Sequence, residues 1–508
     1  MTRAGAIAFL HLGLDRSSPH NLQEQLCAGL RQAISDGSLA PATRLPSTRS
    51  LAAQLGVSRT TVVAAVLQLV EEDYLVSRER SGTFVAREPP ALTIAAAEAV
   101  TAPNGSSLQL SRRFEELARA ATSLTSMKPR PRAFRLSRPA LDSFPVREWS
   151  RIMSRRSARV TAPQLDYGPE SRELQAVIAD LVSSGRGLRA QADQVLLFAG
   201  GQRALEFAVA AVLDPGQSAW MEDPGYPGAR SVLRAAGASV TCVPVDQEGM
   251  VVVAGQEMAG DARLVYTTPS CQFPLGVTMS PARRQQLLAW AAQANACIVE
   301  DDYDAEFRHA GPALASLAGM DRSGRVLYMG SFSRTMFPAL RIGFLVAPPA
   351  LVDRLRAARA TMEEQLPSLA QLALADFIAE GQYARHLRRM RVLYRARREA
   401  LLSAAADAGG KLRVRPAESG LHVIADLPEG VCAAEVSAAA ARRGVEAAPL
   451  SLFYADGRAS PAALVLGFGA VDAKSARAAM EELAAAVDEA DYSGGGASGS
   501  VRKPASST

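Results

Sequence analysis

The sequence predicts a multidomain chain: a small N-terminal winged helix-turn-helix, then a larger α/β body with a mostly parallel sheet and a smaller C-terminal α+β domain. Three observations carry this. Two short helical patterns meet at a glycine turn around Gly56 and are followed by a compact pair of strand patterns. From about Asp193, apolar strands alternate with helical stretches, as crossovers between parallel strands require. A stretch rich in Pro, Ala, Ser and Thr separates the two parts. The boundaries that follow are 1–88 for the head, 89–132 for a flexible linker, 133–350 and 351–490 for the large and small parts of the body, and 491–508 for a disordered tail.

At 508 residues the chain is long enough for two or three domains whose cores need no staples. With 48% hydrophobic and 21% charged residues it has an ordinary globular composition. Five scattered cysteines, without a CxxC pair or metal-ligand spacing, fit a reducing cytosol and no structural zinc. The apolar run 4–14 is too short to span a bilayer, so a cytoplasmic protein is expected. A net charge of +5 spread over this length says little about nucleic acid, so that question rests on local arrangement. Only four lysines occur, Lys128, Lys411, Lys474 and Lys503, and nearly all basic charge is arginine.

In the head, Leu22, Leu26, Leu30, Ala33 and Ile34 recur at helical spacing, predicting an amphipathic helix over 21–36 stopped by Gly37. Ser47 is placed to cap a second helix carrying Leu51 and Leu55, with Gly56 just after it. Ser58 is placed to cap a third, whose Val62, Val66, Leu69 and Val70 form one buried stripe. Such a helix pair sets the second helix's first turn, Arg59-Thr60-Thr61, into a major groove. A guanidinium and two hydroxyls there suit phosphates and guanine edges. Residues 74–85 read as two strands around a turn near Gly82, a wing carrying Arg78 and Arg80. With LPSxR and SRxTV intact, the segment resembles the GntR-type winged helix, although Arg80 and Asp73 replace usual glycines. The resemblance implies DNA contacts by Arg49, Ser58, Arg59, Thr60, Thr61 and Gly82.

Residues 89–132 show no sustained pattern beyond a marginal helix over 112–121, and the Gly- and Ser-rich tail from Ser493 is expected to be disordered. Body strands are predicted at 195–198, 218–221, 239–245, 263–268, 296–299, 326–329 and 342–346, with helices at 202–213, 228–236 and 281–294. Ligands of such sheets sit beyond the carboxyl ends of the strands. Polar residues collect in those loops: Gly201 and Gln202 opening a helix, Tyr226 in EDPGYPGA, Cys271 in TTPSCQFPLG, and the run Glu300-Asp301-Asp302-Tyr303-Asp304.

Residues 327–344, LYMGSFSRTMFPALRIGF, place Ser331, Ser333, backbone N–H groups and Arg341 around one turn, which is phosphate-binding chemistry. This stretch resembles the cofactor-linked segment of fold-type I enzymes dependent on pyridoxal 5'-phosphate (PLP), and specifically the MocR branch of the GntR regulators, across some 350 residues. The resemblance implies an aspartate aminotransferase-like body. Tyr226 would stack on the pyridine ring, Asp301 would lie under its nitrogen, and Tyr303 would meet the 3'-oxygen. Gly201, Gln202, Ser331, Ser333 and Arg341 would surround the phosphate, with Tyr167 reaching the phosphate of a neighbouring subunit. Where the family carries the lysine that forms an imine with the cofactor, this chain has Arg334. A guanidinium stays protonated and cannot form that bond. No catalytic residue is therefore assigned. The family's substrate-carboxylate arginines are also replaced, at Val465 and at Gly228, with Arg458 a candidate substitute.

The expectation is a homodimeric regulator whose heads read paired half-sites in double-stranded DNA while the body senses a small-molecule effector. Three versions of the pocket stay open: PLP held without a covalent bond or weakly, with Arg334 on the 3'-oxygen or aldehyde oxygen; another anionic metabolite; or an empty body serving only to dimerise. The competing class, an active aminotransferase with a DNA-binding head, requires a lysine that the central motifs lack.

Overall fold

The structure, a computed structural model, describes residues 14–16, 18–79, 81–88, 109–124, 132–166, 170–311, 314–362, 365–456 and 460–495. It divides into two compact units, residues 1–109 and 110–508. In the first, α1 (Leu22–Ser35) opens on a capping box in which Asn21 Oδ1 accepts from Glu24 N at 2.9 Å and Glu24 Oε2 accepts from Asn21 N at 3.2 Å. Helix α2 (Thr48–Leu55) is capped by Ser47 and ends at Gly56, whose φ of 64° is a conformation that costs glycine little. Helix α3 (Arg59–Glu71) follows, turned by 119° from α2. Val62, Val66 and Leu69 are buried against Leu26, Leu30 and Leu51, with Val70 half-buried beside them. Strands β1 (Leu75–Arg78) and β2 (Gly82–Val85) pair antiparallel as the wing.

The second unit begins with α4 (Arg112–Leu124), where the sequence predicts a marginal helix over 112–121 within a linker; it packs against the helix Pro227–Ala235 of the body. The large sheet has eight strands: β3 (Val195–Phe198), β4 (Ser218–Asp223), β5 (Ser239–Asp246), β6 (Gly249–Met250), β7 (Leu264–Thr267), β8 (Cys297–Asp301), β9 (Val326–Ser331) and β10 (Gly343–Val346). Their order is β3-β10-β9-β8-β7-β4-β5-β6, antiparallel only where β10 and β6 meet their neighbours. Every residue of β3, β7 and β10 is buried, as expected of strands covered on both faces. Stacked Trp220 and Trp290, centroids 3.8 Å apart, fill one side, and Phe198 against Phe207 lies in another cluster.

The smaller sheet takes β11 (Arg413–Arg415), β12 (His422–Asp426), β13 (Ala448–Pro449) and β14 (Ala463–Gly467) in the order β11-β12-β14-β13, all antiparallel. Residues 133–140 run along it: Ala133 bridges Val445, and Gly467 N donates to Phe134 O at 2.8 Å. The last helix, Ala473–Gly495, carries order three residues into the stretch predicted to be a disordered tail from Ser493; the remainder of that tail lies outside the described residues. Among the described residues no single helix is long and apolar enough to cross a membrane.

Candidate cofactor pocket and nucleic-acid interface

On the head, Ser58 Oγ accepts from Thr61 N at 3.0 Å and lies 2.7 Å from Thr61 Oγ1. The cap thus occupies Ser58 and Thr61 with each other. Arg49, Arg59 and Thr60 are exposed around this corner. Gly82, φ 107°, starts β2; an added Cβ would come 3.1 Å from Arg44 Nε, so the wing needs glycine there for both backbone and space. Arg78 lies over the Phe84 ring at 5.0 Å. Arg80 falls outside the described residues.

In the body, the carboxyl ends of β3, β4, β7, β8 and β9 supply the pocket, as the parallel topology dictates. Its phosphate end is built on the helix Gly201–Val212, whose N-cap is Gly200, φ 95°, with no side chain capping the turn. The first turn thus opens at the positive dipole end with no cap from the N-cap residue's own side chain. Arg341, itself at φ 51°, donates from Nη2 to Ala199 O at 2.8 Å. A Cβ on Gly200 would come 3.2 Å from its Cζ, and one on Gly343 would come 2.6 Å from the Gly200 carbonyl carbon. Two glycines therefore let strand, turn and guanidinium close on one another. Ser331 Oγ donates to Ser333 Oγ at 3.0 Å and accepts from Ser333 N at 3.2 Å.

The ring end has a different character. Tyr226 donates to Gln202 Oε1 at 3.1 Å, and Gln202 Nε2 donates to Gly228 O at 3.2 Å. A Cβ on Gly228 would come 2.5 Å from Tyr226 Cζ, so no arginine fits there while the ring holds its place. The four carboxylates of residues 300–304 point four ways. Glu300 accepts from Leu317 N and Ala318 N, Asp301 from Tyr266 Oη at 2.7 Å, Asp302 from Tyr328 Oη at 2.7 Å, and Asp304 from Arg334. Burial pushes Asp301 up to about 6 against the opposing pull of the Tyr266 hydrogen bond. Cys271 is buried, its thiol pushed up to about 12 first by burial and then by the Asp304 charge, so it is no nucleophile at neutral pH.

Arg334 does not stand free toward a cofactor oxygen. Its Nη1 is 2.8 Å from Asp304 Oδ2, its Nη2 donates to Ser137 Oγ at 2.9 Å, and its Cζ lies 4.8 Å from the Tyr303 ring centroid. Asp304 is fully buried and Arg334 is 14% exposed. Tyr303, expected at the 3'-oxygen, donates to Cys271 Sγ at 3.5 Å. Sequence reasoning missed Asp304, Ser137 and Tyr266 in these roles, because their partners lie 30, 197 and 35 residues away and leave no local pattern. Arg230 was missed as well: it donates to Phe453 O at 2.6 Å and Tyr454 O at 3.0 Å, holding the Tyr226 turn to the small domain. Val465 is buried among Ile424, Leu450 and Phe453, an apolar place. Tyr167 and Arg458 lie outside the described residues.

The phosphate end fits an anion, with an uncapped helix turn, two hydroxyls and a guanidinium, and the Tyr226 ring and Asp301 fit an aromatic heterocycle. The covalent attachment does not fit, since Arg334 is the residue there. Residues 22–85 match the family described as bacterial regulatory proteins, gntR family, and residues 147–466 match aminotransferase class I and II. The chain is 37% identical over 492 residues to the probable rhizopine catabolism regulatory protein MocR of Rhizobium meliloti, covering 95% of this chain and 97% of that protein. It is 34% identical over 455 residues to the HTH-type transcriptional regulator TauR of Rhodobacter capsulatus, covering 88% and 91% respectively. The α-aminoadipate aminotransferase LysN of Thermus thermophilus, solved with N-(5'-phosphopyridoxyl)-L-leucine, matches with a TM-score of 0.65 at 26% identity, over 76% of this chain and 96% of that one. A gene-reading head continuous with an aminotransferase-like body along nearly the whole chain places it in one group: the chain belongs to the MocR-type subfamily of the GntR transcriptional regulators.

Proposed function

We propose that this DNA-binding regulator acts as a homodimer whose body binds PLP without a covalent bond, and that the bound ligand changes how the heads engage duplex DNA. One observation carries the reading: the groups suited to phosphate and ring are assembled, while the position that would form the bond holds a guanidinium paired with Asp304. PLP supplies a phosphate, a flat ring and an electrophilic aldehyde. Gly201, Gln202, Ser331, Ser333 and Arg341 would hold the phosphate, Tyr226 would face the ring, and Asp301 would accept from its nitrogen. Arg334 holds no lone pair at neutral pH and moves no proton, so the pocket binds and does not turn over. A ligand changes the heads only if it prefers one arrangement, and coupling of about 1–3 kcal/mol is enough for a switch.

Thermal unfolding with PLP and with inorganic phosphate tests the pocket: PLP is expected to raise the melting temperature, and no shift at millimolar PLP contradicts the reading. Titration of the duplex upstream of the gene tests the head. Arg59→Ala should weaken binding by about 1–3 kcal/mol, and an unchanged affinity would remove α3 as the reading element.

A further inference from the structure

The chain coming from the head meets the body first at α4 and then runs on through residues 133–140. That stretch is a strap laid between the two parts of the body. On one side its backbone joins the small sheet: Glu446 N donates to Ala133 O at 2.9 Å, Gly467 N to Phe134 O at 2.8 Å, and a Cβ on Gly469 would touch Arg138 O at 2.5 Å. Leu136 packs in the cluster that also holds Tyr226 and Tyr303. On the other side, Ser137 accepts from Arg334. Ser137 has φ 62°, so the chain bends there in a conformation that non-glycine residues seldom adopt.

The guanidinium is anchored unequally. Nη1 is held by a buried carboxylate, whereas among the described residues Nη2 is held by a hydroxyl. A charge-assisted bond to a ligand oxygen outcompetes a bond to a neutral hydroxyl. We propose that the Arg334 to Ser137 hydrogen bond is the switch contact of this regulator: a ligand oxygen in the pocket takes Nη2 from Ser137 while Nη1 stays on Asp304, and the bend of the strap at Ser137 is released from the large domain. This rests on the PLP reading above. Ser137 is a positioning residue, because it acts on the strap through Arg334.

The mechanism makes Ser137 a competitor of the ligand, which sets an unusual sign. Removing its hydroxyl should tighten PLP binding, where loss of an ordinary pocket contact would weaken it. The test titrates PLP into the full chain, its Ser137→Ala variant and its Ser137→Gly variant, the glycine accepting the positive φ without strain. Hydrogen exchange over 133–140 is followed in parallel. The expected result is PLP affinity about tenfold higher in both variants, since one bond to a charged donor no longer opposes binding. Exchange in the strap should rise with PLP in the parent chain and be already raised, and unchanged by PLP, in the variants. Equal or weaker PLP binding by the variants, or a strap whose exchange ignores PLP in the parent chain, overturns the switch and leaves the PLP reading intact. Failure of all three proteins to bind PLP overturns both.

Discussion

The two ends of the pocket have been treated differently by this sequence. At the phosphate end the backbone itself is shaped for an anion: Gly200 at φ 95°, an uncapped helix turn behind it, and Arg341 drawn in by its bond to Ala199. At the opposite end an ion pair fills the place of an amine, with Asp304 fully buried and Arg334 reaching on to Ser137. A scaffold that had abandoned its ligand would have no reason to keep the first end. One that performed amine chemistry could not tolerate the second. On the reading proposed above, the difference separates binding from catalysis within a single site.

Breaking the closed end should have the largest effect. Asp304→Ala leaves Arg334 without its counter-charge, and the chain is expected to lose about 3–5 kcal/mol in urea unfolding; adding Arg334→Met should return most of that, since both charges are then gone. A loss that persists in the double variant would mean that Asp304 stabilises through something other than this pair. Breaking the open end should spare stability and cost binding. Arg341→Ala is expected to weaken PLP roughly 10- to 100-fold in equilibrium titration, the range of a charged hydrogen bond. Between the two ends, acidity gives a smaller effect with a definite sign. Burial pushes Asp301 up to about 6, and below that pH its proton would occupy the acceptor meant for the ring nitrogen. PLP affinity should therefore be roughly fourfold lower at pH 5.5 than at pH 7.5, and a flat profile would place the ring away from Asp301.

Much of this architecture can be read from residue order, for physical reasons that also explain the gaps. Strands covered on both faces must be continuous apolar runs, and the run 195–198 matches its strand to the residue. Caps are local chemistry, so Ser47, Gly56 and Ser58 stand at the helix ends where the sequence puts them. Segments stabilised by what they touch escape such reading. Residues 252–259 are entered through three successive valines at 251–253, a strand-like start, yet form a helix in which Gly255 lies against Trp220, where a Cβ would come 2.8 Å from the ring. The helix α4 likewise reads as no more than a marginal one over 112–121, and its packing on the helix Pro227–Ala235 is not visible in the sequence. In the pocket, loop residues are legible because strand ends gather them. The pairing of Arg334 with Asp304 and Ser137 is not, since a guanidinium's choice among several acceptors is settled only by three-dimensional placement.

The most direct measurement is borohydride treatment of the full chain saturated with PLP, followed by mass analysis, beside an Arg334→Lys variant treated in the same way. The account predicts a melting temperature raised by PLP in the parent chain with no stoichiometric pyridoxyl adduct, and one adduct per chain at position 334 in the lysine variant. A stoichiometric adduct on the parent chain would contradict it, because some other amine would then be forming the bond that Arg334 denies.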